Sequence, residues 1–297
     1  MSEIKLFAIQ GGVKELNPAP VLLEKQLQSL IETNMETFFG VKFLQSEYKI
    51  KDGRMDSIGI DENHCPVIFE YKRNANENVI NQGLFYLDWL LDHKGDFKML
   101  VIEKMGIKEA NLIDWSYPCV ICIANDFSRY DLHAVNQMAR NIKLVKYNKY
   151  NNELILFEHL NAPNVKPAPA EDPDEPKHYG LPKSHTEKLE NLPEKTKTLY
   201  NTVCEYIESL GDDLEKNQLK YYLAYKKVQN MVCVEVYSDK VILRLKLNPD
   251  SVDLIPGFTR DTREIGHYGT GDLEVTIQNS DDIEKAKPLL NRVYSEM

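Results

Sequence analysis

An α/β domain built on a mixed sheet flanked by helices, followed by a smaller α+β domain with an antiparallel sheet, is the fold class that this 297-residue sequence predicts. Three observations predict it. Apolar runs alternate with helix-like runs up to about residue 160, the pattern of strands and helices packed in layers. Pro163, Pro167, Pro169, Pro173, Pro176 and Pro182 then crowd into residues 161–184, with Glu171, Asp172, Asp174 and Glu175 among them, which reads as an extended acidic linker. Beyond it, a long helix pattern gives way to short runs of period two. The predicted divisions are therefore 1–160, the linker 161–184, and 185–297.

The elements follow in order. Val21 to Phe39 is helix-like and carries Glu24 and Glu32. Two β-like runs come next, Gly53 to Asp61 and Pro66 to Lys72, joined by a tight turn at Asp61 to His64. Glu77 to Asp92 is again helix-like, followed by apolar runs at Lys98–Ile102, Cys119–Ala124, Ile142–Tyr147 and Glu153–Glu158, with a helix expected within Phe127–Arg140. In the second domain Leu189, Leu192, Leu199, Val203, Tyr206, Ile207 and Leu210 recur at helical spacing, and Gly211 ends the pattern. Tyr221–Val228, Val232–Tyr237 and Val241–Leu247 then read as a meander, turning at Ser238-Asp239. Leu273–Ile277 adds a strand, and a last helix is expected from about Asp281 to Ser295.

The hairpin carries the chemistry. Glu70 and Lys72 are two apart on a strand and share a face. A three-residue loop, Glu62-Asn63-His64, places Asp56 directly opposite Glu70. Two carboxylates and an ammonium then crowd at the end of the apolar run Val67-Ile68-Phe69, which is costly unless a cation joins them. A hard divalent ion with oxygen ligands is the natural partner.

Asp56 followed by Glu70-Tyr71-Lys72 resembles the core of the PD-(D/E)XK nuclease superfamily. Gln82-Gly83-Leu84-Phe85-Tyr86 is similar to the Q-x-x-x-Y pattern of its RecB-like branch, and Glu24 stands where members place a metal-binding or metal-orienting Glu on the first helix. The resemblance implies a restriction-endonuclease-like fold and a nuclease dependent on Mg²⁺ or Mn²⁺, with DNA a more natural substrate than RNA. It implies that Asp56, Glu70, Glu24 and the Tyr71 carbonyl hold the metal. It also implies that Lys72 acts on the water or the phosphate, and that Gln82 positions the lysine or touches the phosphate backbone. Glu32 is not expected in the site, and Tyr86 reads equally well as packing. The same residues also admit a non-catalytic nucleic-acid-binding or nucleotide-binding sensor or effector, although such a role does not require all of Asp56, Glu70 and Lys72.

The second domain resembles an uncharacterised domain often found behind such nuclease-like domains, in proteins sometimes labelled predicted transport proteins. Tyr221-Tyr222-Leu223-Ala224-Tyr225-Lys226 and Ile265-Gly266-His267-Tyr268-Gly269-Thr270-Gly271-Asp272 carry that similarity. A glycine loop of this kind can cradle a phosphate. The reading favoured here is a connection whose glycines supply positive φ. Lys226, Arg263 and His267 are the residues to follow there.

Composition bounds the remaining possibilities. No run of about eighteen apolar residues predicts a membrane span, Met1-Ser2-Glu3-Ile4-Lys5 lacks a signal-peptide pattern, and five scattered cysteines do not suggest a disulfide framework; a cytoplasmic location is expected. Cys119 and Cys122 form a C-x-x-C, but on a strand they face opposite ways and read as core. The net charge is −10, and neither half is basic: residues 1–160 carry 18 Lys and Arg against 22 Asp and Glu, and residues 185–297 carry 15 against 20. Binding through phosphate contacts normally needs a positive surface. The balance argues for a small footprint on nucleic acid, for a homodimer that concentrates the lysines, or for a partner that brings the substrate.

Overall fold

The computed structural model describes residues 4–20, 22–72, 78–151, 153–161 and 183–297. Nearly all of the proline-rich stretch, residues 162–182, lies outside the described residues. The chain forms two compact units, residues 1–60, 66–111 and 118–165 in one and residues 61–65, 112–117 and 166–297 in the other.

The first unit begins with a two-stranded hairpin, β1 (Leu6–Ala8) and β2 (Lys14–Leu16). Helices α1 (Glu24–Thr33) and α2 (Met35–Phe39) follow, where the sequence predicts one continuous helix; the break falls at Asn34. Then come β3 (Val41–Ile50), β4 (Gly53–Asp61), β5 (Pro66–Tyr71), α3 (Asn78–Asp92), α4 (Lys94–Met105), α5 (Ile107–Ala110), β6 (Cys119–Ala124), α6 (Arg129–Gln137), β7 (Ile142–Tyr150) and β8 (Leu154–His159). The apolar run Lys98–Ile102 lies inside α4, because a short apolar run fits a buried helix as well as a strand.

Strands β3 to β8 make one six-stranded sheet in chain order. β4 pairs antiparallel with β5, β5 and β6 run parallel, β6 and β7 run parallel, and β7 pairs antiparallel with β8. Both central strands, β5 and β6, are buried along their whole length, as strands covered on both faces must be. Alternation sorts their side chains. Phe69, Tyr71, Cys119, Ile121 and Ile123 pack with Leu27, Ile31, Met35 and Phe39 of α1 and α2. Val120 and Cys122 lie instead under α3. Gly83 makes that approach possible, since a Cβ there would stand 2.7 Å from Val120 Cγ1. The two cysteines of the C-x-x-C thus face opposite sides of β6, and all five cysteines are free and buried.

The second unit holds α7 (His185–Glu190), α8 (Glu194–Glu208), β9 (Glu215–Gln218), β10 (Leu223–Lys226), β11 (Asn230–Val236), β12 (Val241–Leu245), β13 (Thr259–Asp261), β14 (Leu273–Ile277) and α9 (Ser280–Glu296). The long helix pattern divides at Pro193, which opens α8 and cannot continue a preceding helix. The sheet is wholly antiparallel, in the order β13-β14-β12-β11-β10-β9. Leu199, Val203 and Ile207 of α8 and Ile283, Ala286, Leu290 and Val293 of α9 share one core with its apolar face. The turn at Ser238-Asp239 closes through Tyr237 N–H donating to Lys240 O at 2.9 Å.

Candidate active site

The β4–β5 register fixes the centre of the site. The ladder runs from Ile60 opposite Pro66 to Ser57 opposite Phe69, so Asp56 and Glu70 are the next residues facing each other at its open end. There the carboxylates replace ladder partners. Asp56 N–H donates to Glu70 Oε1 at 3.2 Å, and Tyr71 N–H donates to Asp56 Oδ2 at 3.0 Å. Lys72 follows directly, its backbone held by a 2.9 Å bond from its N–H to Ile123 O on β6, so the strand's geometry persists to the lysine.

Asp56, Glu70 and Lys72 line one cleft of about 530 Å³, and Glu24 at the start of α1 and Gln82 on α3 line it too. Tyr71 is buried at 1 % exposure, its side chain in the core beneath α1 and α2 and its hydroxyl donating to Ser57 Oγ at 3.1 Å. Tyr86 is both packing and wall: it is buried, lines the cleft, and its hydroxyl accepts Arg54 N–H at 3.2 Å. Glu32 lies behind β4, where its Oε1 accepts Ser57 Oγ at 2.6 Å and Gln28 Nε2 at 2.8 Å.

Two basic residues on the wall, Lys49 and Arg54, were not among the candidates. Arg54 pairs with Glu47, which also takes Lys25 Nζ at 3.0 Å. The Lys25 hydrogen bond and the nearby Arg54 charge hold the Glu47 carboxyl below its usual range. Gln28, buried at 4 % exposure, escaped the sequence reading as well, although Glu24, Gln28 and Glu32 repeat every fourth residue along one helix stripe.

Electrostatics set this pair apart. Burial, and then the neighbouring Asp56 charge, push the Glu70 carboxyl up to about 8. Burial also raises Asp56, opposed by the Tyr71 N–H and the Lys72 charge. A buried acid facing a half-buried one resists double ionisation, and a cation relieves that resistance. Each carboxylate gives one oxygen to a backbone N–H and retains a second. All-oxygen donors suit Mg²⁺ or Mn²⁺, which keep several water ligands. Among the described residues no group of three or more His, Cys, Asp or Glu side chains is arranged to hold a metal.

The glycine loop of the second unit is built for close packing. Gly269 and Gly271 have φ of +73° and +122°, and Cβ atoms there would stand 2.7 Å from Cys233 Cβ and 2.9 Å from the Leu245 backbone. Arg263 pairs with Asp250 and Asp261, Lys226 is buried, and His267 stays at the surface with Nδ1 3.1 Å from Tyr268 O.

An uncharacterized protein of Haemophilus influenzae is 30% identical over 303 residues, covering 99% of this chain and all of that one. The two belong to one family. Residues 185–295 also match a family described as a domain of unknown function, DUF5655. Two solved structures show partial likeness: a repair endonuclease from Pyrococcus abyssi, 19% identical over 42% of this chain with a TM-score of 0.29, and an EndoMS–dsDNA complex, 18% identical over 45% with the same score. The chain spans about half of each, 47% and 50%. Among the described residues no helix is long and apolar enough to cross a membrane.

Proposed function

We propose that the first unit is a metal-dependent nuclease of the PD-(D/E)XK type that hydrolyses phosphodiester bonds, a DNA endonuclease using Mg²⁺ or Mn²⁺. The observation that carries this reading is the facing pair Asp56 and Glu70, with Lys72 on the same cleft wall. Asp56 and Glu70 hold the cation, assisted by the Tyr71 carbonyl and Glu24. When bound, the cation supplies Lewis acidity at the phosphate and at the attacking water. The Lys72 ammonium stabilises charge that builds on the phosphate oxygens in the transition state. Gln82 orients Lys72 or holds the neighbouring phosphate. The second unit selects the substrate or assembles the oligomer. With a chain charge of −10, affinity rests on a short contact around the cleft.

The test is incubation with plasmid, single-stranded DNA and RNA in Mg²⁺, Mn²⁺ or EDTA. Metal-dependent cleavage that disappears in Asp56→Asn supports the reading. Unchanged substrates under every metal condition would sink it.

A further inference from the structure

Behind β4 a partly buried polar chain ties α1 to the two strands that carry the acids. Gln28 Nε2 lies 2.8 Å from the backbone carbonyl of Asp56, 2.8 Å from Glu32 Oε1 and 3.1 Å from Ser46 Oγ. Lys25 Nζ donates to Gln28 Oε1 at 3.2 Å, so both ends of the amide are held. The chain continues from Glu32 to Ser57 Oγ at 2.6 Å and from Ser57 to the Tyr71 hydroxyl at 3.1 Å. Ser57 is fully buried and Gln28 is buried at 4 % exposure.

Packing alone does not account for this arrangement. A buried amide in an apolar interface costs free energy unless every polar atom is satisfied, and a leucine would fill the space without that demand. The contacts also fall on particular residues. Asp56 lies just past the last β4–β5 ladder pair, where pairing to β5 ends, and Gln28 donates to its carbonyl there. Tyr71, adjacent to Glu70, is gripped through its phenol. One helix thus fixes the backbone of both strands at the point where the carboxylates face each other.

We infer that Gln28 is a positioning residue for the Asp56–Glu70 pair, setting through the Asp56 carbonyl the geometry with which the pair takes a divalent cation. This rests on the proposed metal-dependent site. The amide is chosen over a carboxylate because Nε2 must donate to two oxygens, the Asp56 carbonyl and the Glu32 carboxylate. A Glu at position 28 would set acceptor against acceptor. Outer contacts of this kind typically change metal affinity by about 10- to 100-fold.

The experiment is Mn²⁺ binding to the full chain, followed by calorimetry and by the paramagnetic resonance of free Mn²⁺, for wild type, Gln28→Met, Asp56→Asn and the double variant. Gln28→Met keeps the side-chain volume and removes the donor. The expected result is binding weakened at least ~10-fold in Gln28→Met, with no further loss from Gln28→Met in the Asp56→Asn background. Should Gln28→Met fail to fold, Glu32→Gln removes the anion that anchors the amide and is expected to weaken Mn²⁺ several-fold. Wild-type binding together with unchanged affinity in the folded variant, or equal losses with and without Asp56, would overturn the role of Gln28 alone. A wild-type chain that takes up no Mn²⁺ would overturn the metal site and this inference together.

Discussion

Asp56 and Glu70 face each other one position beyond the last β4–β5 ladder pair, with Asp56 N–H donating to Glu70 Oε1 at 3.2 Å. The acids therefore sit where two strands separate, and their spacing is set by backbone pairing instead of by flexible side chains. Burial raises both carboxyls, and the closeness that sheet geometry imposes adds the Asp56 charge to the rise of Glu70. A cost built into a fold at a cleft is a common mark of function.

That cost predicts a stability trade. In Asp56→Asn the Asn Oδ1 still accepts the Tyr71 N–H, while the repulsion with Glu70 is gone. The metal-free variant is expected to melt no lower than wild type, and a given concentration of Mg²⁺ or Mn²⁺ should raise its Tm less than that of wild type, because ligand binding stabilises in proportion to affinity. Calorimetric melts with and without metal check both halves. A metal-free variant several degrees less stable would show that the Asp56 charge stabilises the fold.

Gly83 predicts a packing effect. A Cβ 2.7 Å from Val120 Cγ1 forces α3 outward or Val120 off its rotamer. Gly83→Ala is expected to lose about 1–3 kcal/mol despite the better helix propensity of alanine. Urea unfolding measures it, and a stabilised variant would mean that α3 does not sit on β6 as described. Because α3 also carries Gln82 and Tyr86, the same variant should reduce cleavage.

His185 predicts an acid-sensitive step in stability. It is fully buried, its ring 5.8 Å from that of Tyr200, and both ring nitrogens lack hydrogen-bond partners among the described residues. Burial, and secondarily the Lys188 charge, lower its pKa from 6.5 to about 4. The unfolded chain therefore binds the proton more tightly than the folded one. Stability contributed by the neutral ring is present above the unfolded pKa and falls as pH drops from about 6.5 to about 4, by on the order of 3 kcal/mol in total. His185→Phe should flatten that part of the curve. Equal slopes for wild type and variant between those pH values would refute it.

The hairpin was legible because turn length and period-two alternation together determine which residues oppose each other. Asp56 opposite Glu70 follows from counting through Glu62-Asn63-His64, and the observed pairs have that register. Gln82 was legible from its place on the next helix. Gln28 was not, because a glutamine on an amphipathic helix reads as exposed until the opposite strand is in place. Lys49 carries no such signal: its strand, Val41–Ile50, mixes polar and apolar residues without clean alternation, and Glu47 breaks its regularity with a φ of 54°. The α1–α2 break has no glycine or proline to mark it, and at the later division the helical spacing of Leu189, Leu192 and Leu199 runs across Pro193 and reads as one helix.

Lys72 carries the most direct chemical prediction. Its charge opposes the rise of both carboxyls, so it lies close enough to act on whatever ion and phosphate they hold. It also follows a strand whose backbone pairing continues to its own N–H, so the ammonium swings from a fixed base. A group that acts on charge developing during reaction affects rate more than ground-state affinity. Lys72→Ala is therefore expected to lower cleavage by on the order of 10²–10³ while leaving Mn²⁺ uptake and most substrate binding in place. Raising the metal concentration should not restore it, whereas extra metal should partly restore Asp56→Asn, which loses a charged oxygen ligand. Single-turnover cleavage over a metal titration separates the two. A Lys72→Ala chain cutting at the wild-type rate would remove Lys72 from the mechanism and leave the acids to act with the cation alone.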